Sequence, residues 1–164
     1  MEQVMQEAGP AGDAIRERQG WMRTLAMASG QELEAAWKAW TPRPTVEAVR
    51  GPEEGLVMVR SRIDAAGARF NLGEATVTRA TMRLHGGPLT TDVVGSAYVL
   101  GSDREHARLA AIFDGLLTDE DQRPRVMAEV IEPLQSAQDE RDAASRTDAR
   151  STLVDFFTVA REHE

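Results

Sequence analysis

From about Asp13 the apolar residues fall at helical spacing. Ile15, Met22, Leu25 and Ala26 share a side, with Trp21 beside them. Ser29 and Glu32 then have the spacing of a capping box, so one helix ends and a short second one opens. Leu33, Ala36, Trp37 and Trp40 form the apolar face of that second helix, and Thr41-Pro42-Arg43-Pro44 stops it. The period then changes to two. Thr45 to Arg50 and Leu56 to Ile63 read as strands separated by a turn at Gly51 to Gly55, and Asp64 to Gly67 is a second turn. Arg69 to Leu72 and Glu74 to Leu84 read as one long strand or two, with Gly73 a bulge candidate, and Val93 to Leu100 is the last strand. Short turns imply antiparallel pairing, so a meander of four or five strands is expected.

After Gly101 the helical period returns. Ser102 and Glu105 repeat the capping-box spacing ahead of a helix reaching about Thr118. Val126, Met127, Val130, Ile131 and Leu134 form a further stripe, where Pro133 is expected to open a new helix. Gln135 to Thr147 is very polar, and Leu153, Val154, Phe156, Phe157 and Val159 close the chain as an apolar cluster. Helices before and after a continuous antiparallel sheet predict an α+β fold. Residues 1–14, with Gly9-Pro10-Ala11-Gly12, read as a flexible tail, and residues 15–161 as one domain.

Composition narrows the function. The 164 residues carry 27 acids against 19 bases, a net charge of -8, and Lys38 is the only lysine among the bases. An acidic chain lacks the basic surplus that bulk binding to nucleic acid or anionic lipid needs. There is no cysteine, hence no disulfide and no thiolate metal site. No membrane-length apolar run and no export-signal pattern is visible, so a cytoplasmic location is expected.

Among candidate chemical groups, Arg60 and Arg62 share one face of their strand, and Arg79 and Arg83 one face of theirs. Two basic strand ends side by side would suit a phosphorylated ligand or an acidic partner, since the guanidinium fork matches phosphate and carboxylate. The alternative is pairing with Glu47, Glu53 and Glu74 on a solvated face. His106, early in a helix, is a candidate general acid or base, or an exposed or capping histidine. No histidine pair has ligand spacing, so no metal site is expected, and no P-loop, dinucleotide fingerprint or nucleophile elbow occurs. Trp21, Trp37 and Trp40, with Phe156 and Phe157, are either core or a docking surface. The residues alone leave open a stand-alone phosphate-ligand binding or sensor module.

Five stretches, in order, resemble the PhnG family of the bacterial carbon–phosphorus lyase core complex. They are Arg18-Gln-Gly-Trp-Met-Arg-Thr-Leu-Ala26, Glu47-Ala-Val-Arg-Gly-Pro-Glu-Glu-Gly-Leu-Val57, Phe70-Asn-Leu-Gly-Glu-Ala-Thr-Val-Thr-Arg-Ala80 running on to Arg83, Tyr98-Val-Leu-Gly-Ser-Asp-Arg-Glu-His-Ala107, and Val154-Asp-Phe-Phe-Thr158 with Arg161. The chain departs from the family pattern at Ser102, where the family usually has Arg, and at Gly87 to Asp92, which looks like an insertion. The resemblance implies an accessory subunit of a transferase complex, working with PhnH-, PhnI- and PhnJ-like partners. That complex uses ATP and methylphosphonate to form α-D-ribose 1-methylphosphonate 5-triphosphate, with the PhnI-like subunit as catalytic centre. No cofactor is expected on this chain itself. The isolated chain is expected to expose an apolar patch or to cover it in a homodimer.

Overall fold

In the computed structural model, which describes residues 10–63 and 67–151, helix α1 spans Pro10–Met27 and α2 spans Gly30–Ala39. Helix α1 starts ahead of the expected Asp13, at a proline that the first helical turn accommodates. The predicted capping box is present. Ser29 Oγ accepts from the Glu32 amide at 3.2 Å, and the Ser29 amide donates to Glu32 Oε2 at 2.7 Å. Arg43 closes the other end of α2, donating to the carbonyls of Trp37, Lys38 and Trp40.

The sheet has three strands, β1 (Thr45–Arg62), β2 (Arg69–His85) and β3 (Val93–Leu100), in an antiparallel meander of order β1-β2-β3. The expected four or five strands reduce to three because Gly51 to Gly55 does not turn the chain. Arg50 pairs with Thr81, Glu53 with Arg79 and Gly55 with Val77. Register shifts on either side of Arg50 absorb the extra residues as bulges within one strand. The second hairpin turn lies largely outside the described residues. A third shift, between Val59 and Arg60, leaves Leu72 unpaired beside the suspected Gly73.

Helix α3 (Arg104–Thr118) lies on β2 and β3 and is buried from His106 to Leu117 except at Arg108. Its N-cap is Asp103, whose carboxylate accepts from the His106 amide at 2.9 Å, and not the expected Ser102. A last helical run comprises α4 (Arg123–Val126), a π-helical segment (Met127–Ile131) and α5 (Glu132–Ser151). Pro133 stands second in α5, as a helix-opening proline should. Its missing N–H also explains why the bonding pattern widens just before it.

The core is one cluster under one face of the sheet. Ala80, Met82, Leu84, Ala97 and Val99 meet Leu109, Ile112, Phe113, Leu116 and Leu117 of α3, with Leu25, Leu33 and Trp40 closing it from the first two helices. Trp37 and Trp40 both meet the Phe113 ring edge-on, at 6.0 and 6.2 Å. Sheet and helix are pressed together at Gly95. A Cβ there would stand 1.9 Å from the Ala111 carbonyl oxygen and 2.3 Å from the Gly115 nitrogen, so no other residue fits.

That close approach brings the Ser96 amide to Asp114, whose side chain is 1% exposed. Asp114 accepts four hydrogen bonds: from Arg18 Nε at 3.2 Å and Arg18 Nη2 at 2.7 Å, from Trp21 Nε1 at 2.9 Å and from the Ser96 amide at 2.9 Å. The carboxylate thus joins α1, β3 and α3. The Arg18 guanidinium is held charged more firmly than usual by that hydrogen bond, against its partial burial.

Asp114→Ala should therefore cost about 3–5 kcal/mol of stability in urea unfolding, because it strands Arg18 and leaves two buried donors unpaired. A second expectation concerns acid. The Ser29 amide, and after it Arg141, hold Glu32 below its ordinary value of 4.5. A depressed carboxyl stabilises the fold above its unfolded value, and that contribution is lost as pH falls through the folded value. Glu32→Gln should flatten the fall of melting temperature below about pH 5.

Candidate functional site

Among the described residues, the helices cover one face of the sheet and leave the other bare. Alternation along β2 sends Thr78, Ala80, Met82 and Leu84 inward, and Arg79, Thr81, Arg83 and His85 outward. On β3 the outward set is Val94, Ser96, Tyr98 and Leu100. This bare face carries the polar groups anticipated from the sequence, so its geometry decides what they can do.

Each outward arginine is already matched with a carboxylate. Glu53 Oε1 accepts from Arg79 Nε at 2.8 Å and from Arg50 Nε at 2.7 Å. These two donors, Arg50 first, hold the Glu53 carboxyl below its ordinary range. Arg83 donates to Asp92, which raises its already high pKa, and lies 3.8 Å from Glu47. His85 Nε2 stands 3.3 Å from the same Glu47. Asp92 belongs to the Gly87 to Asp92 stretch, so that stretch supplies the Arg83 partner. An incoming phosphate would have to displace these carboxylates. At two surface pairs the exchange is nearly neutral in water, which leaves little to hold an anion.

The four strand arginines do not converge. Arg60 pairs with Asn71 and Arg62 with Arg69, eight and ten residues along β2 from Arg79, which at strand rise is about 26 Å or more. The register also places Arg60 and Arg62 on the side that carries α3, opposite to Arg79 and Arg83. His106 is 6% exposed, and its Nε2 meets the Leu25 carbonyl oxygen at 2.8 Å, pinning α1 to α3. His106 is therefore not the exposed histidine that was one expectation, because its ring is drawn in by the end of α1. Among the described residues no three His, Asp or Glu side chains are grouped to hold a metal ion.

The tryptophans divide. Trp21 and Trp40 are core residues, 4% and 2% exposed, and so offer a partner no surface; Trp37 is half-buried against Phe113. All three rings are capped by arginine: Arg123 over Trp21 at 5.7 Å, Arg43 over Trp37 at 5.0 Å and Arg125 over Trp40 at 4.1 Å. Phe156 and Phe157 lie outside the described residues.

Among the described residues, the largest exposed apolar feature is elsewhere. Strand β3 ends at Leu100 opposite Val77, while β1 and β2 run on together to Arg62 and Arg69. From Leu56 outward they form a two-stranded arm. Leu56, Met58, Leu72 and Phe70 are 65%, 50%, 65% and 41% exposed, and Val57 and Val59 are open as well. Where the arm leaves the body, Gly55, Leu56, Val57, Val77, Arg79 and Tyr98 line a shallow hollow of about 160 Å³. The signal was present in the sequence. Leu56-Val57-Met58-Val59 is four apolar residues in succession, which on a strand means that both faces seek cover.

If His106 is structural, His106→Phe should cost about 1–3 kcal/mol by orphaning the Leu25 carbonyl. Activity per folded molecule should stay unchanged, with denaturant unfolding and assays below the melting transition separating the two effects.

Among the described residues, no helix is long and apolar enough to cross a membrane. A relative from Rhizobium meliloti (strain 1021), described as alpha-D-ribose 1-methylphosphonate 5-triphosphate synthase subunit PhnG, is 45% identical over 159 residues, covering 96% of this chain and 98% of its own. The family model for the phosphonate metabolism protein PhnG matches residues 16–162. Nearly the whole described fold lies inside that match, and the chain belongs to the PhnG family.

Proposed function

We propose that this chain is the PhnG subunit of α-D-ribose 1-methylphosphonate 5-triphosphate synthase, and that it supports assembly of that enzyme without supplying its reacting groups. The observation that carries the reading is the 45% identity, almost end to end, to a relative described as that subunit. PhnH-, PhnI- and PhnJ-like chains would be its partners, and ATP and methylphosphonate the substrates of the complex. In that reaction a phosphonate oxygen bonds to the ribose C1′ as the bond to adenine breaks. A catalytic subunit would need groups poised at both ends of that exchange.

Several features of this chain support the accessory role. Of the two buried carboxylates among the described residues, Asp114 is engaged with Arg18, Trp21 and Ser96, and Asp119 accepts from the amides of Asp121 and Gln122. Its early-helix histidine is spent on the Leu25 carbonyl. Its outward arginines hold carboxylates of the same chain. None of these is free to move a proton on a substrate without undoing part of the fold or of the sheet surface.

Reconstitution tests this. Adenine release from ATP with methylphosphonate should require this chain together with its partner subunits, and the chain alone should release none. Arg79→Ala and Arg83→Ala should keep turnover within about threefold, the scale of lost surface contacts rather than of lost catalytic groups. A loss of 100-fold or more in either variant, with the complex still assembled, would move that arginine into the active site. Turnover that is complete without this chain would end the reading.

A further inference from the structure

The arm formed by the outer halves of β1 and β2 has the build of something made to be enclosed. Two strands alone are marginally stable in water, and a third strand or a packed face is what ordinarily secures them. Here β3 has already ended, and its last contact with this edge is the Gly101 amide on the Thr76 carbonyl, so residues 69–75 of β2 face β1 on one edge and nothing among the described residues on the other. Among the described residues the outer edge of β1 is open too. Apolar side chains stand on both faces. The register puts Leu56 and Met58 on the side of the body that carries α3, and Val57 and Val59 on the bare side.

Charge describes what should receive the arm. On a chain of net charge -8, residues 55–76 hold three arginines, Arg60, Arg62 and Arg69, against two acids. The Arg60 and Arg69 side chains have no hydrogen-bonding or ion-pair partner among the described residues. The arm is thus an apolar ribbon with a basic end. Its complement is an apolar cleft with carboxylates at the far rim.

A second copy of this chain has the acidic charge but not the shape. Stacking two arms face to face would leave the other face of each in water. A ribbon about 26 Å long and 10 Å thick displaces on the order of 2,000 Å³. The hollows on the body hold about 430 Å³ between α1 and α5, lined mostly by polar groups, and about 220 Å³ beside α1 and β3. Neither admits two strands.

We infer that the β1–β2 arm is the element by which this chain enters another subunit of the synthase, a different polypeptide that encloses it in an apolar, carboxylate-rimmed cleft. The inference rests on the subunit role proposed above. It adds which part of the chain makes the joint and what chemistry the receiving surface must have.

The test uses the full chain, tagged and co-expressed with the remaining subunits of the same synthase. In one variant Asn-Gly replaces Val57–Ala75, joining the paired residues Leu56 and Thr76 by a two-residue hairpin turn. A second variant keeps the arm and carries Arg60→Glu with Arg69→Glu. A third carries Leu56→Ser with Phe70→Ser. The shortened variant should melt within a few degrees of the parent, because the core and the Asp114 network are untouched. It should bind the partner subunits at least about 30-fold more weakly, the scale of a lost hot spot. The charge-reversed variant should bind more slowly in low salt, with the difference narrowing in high salt. If shortening destabilises the fold, the two point variants carry the test, and normal binding by both overturns the proposal. Shortened protein that is folded and still captured within about threefold also overturns it, while leaving the subunit role intact. Failure of the unmodified chain to bind any partner overturns both. A homodimer that dissolves on shortening, with partner capture unchanged, assigns the arm to a second copy and overturns the inference.

Discussion

Everything in the body is referred to the Asp114 carboxylate. Taking a carboxylate out of water costs several kcal/mol even after the protein relaxes. Hydrogen bonds to a charged group return roughly 1.5–3 kcal/mol each, so four of them are about what the site needs to be favourable at all. Those four come from two elements, the side chains of Arg18 and Trp21 on α1 and the backbone of Ser96 on β3, while Asp114 itself belongs to a third, α3. Removing any one element leaves the charge under-satisfied, and the layers are therefore coupled through it. The arrangement also explains Gly95. The Ser96 amide reaches the carboxylate only because the strand rides directly on the α3 backbone at the neighbouring residue.

The predominance of arginine follows from what the bases do. Arg43 holds three carbonyls at the end of α2, and Arg125 donates to the Thr41 carbonyl while lying over Trp40. Arg123 reaches the Leu117 carbonyl from above Trp21. Arg104 grips both oxygens of Glu54 and so ties the root of the arm to the start of α3. Each job uses a flat group with several donors at fixed angles. A lysine could supply the charge but neither the fork nor the flat face over an aromatic ring.

How far the fold could be read from the sequence depended on whether the deciding interaction was local. Ser29 and Glu32 are three residues apart and cap α2 as their spacing predicts. Proline placement at 42, 44 and 133 was equally legible, since a missing N–H acts on its own segment. Gly51 to Gly55 was misread as a turn because its glycines and proline advertise one, and only pairing with Arg79 and Val77 keeps the chain extended. Parity within a strand correctly grouped Arg79 with Arg83 and Arg60 with Arg62. It could not show that the two pairs lie about 26 Å apart on opposite faces, because that depends on inter-strand register. Helical spacing likewise marked Trp21 and Trp40 as apolar-face residues without saying whether the face meets the chain's own core.

Cantilevering the arm from the body has a mechanical consequence. The last register shift before the arm falls between Arg50 and Glu53, three residues short of Leu56, and the bond between Arg104 and Glu54 braces the root of the arm between that shift and Leu56. A ribbon about 26 Å long magnifies any bend at its base, so a tilt of about 5° there sweeps the tip through about 2 Å. The joint therefore works as a lever whose fulcrum is a surface ion pair. Salt that weakens the brace widens the arc the tip can search, and the brace sets how sharply the outer strands are aimed.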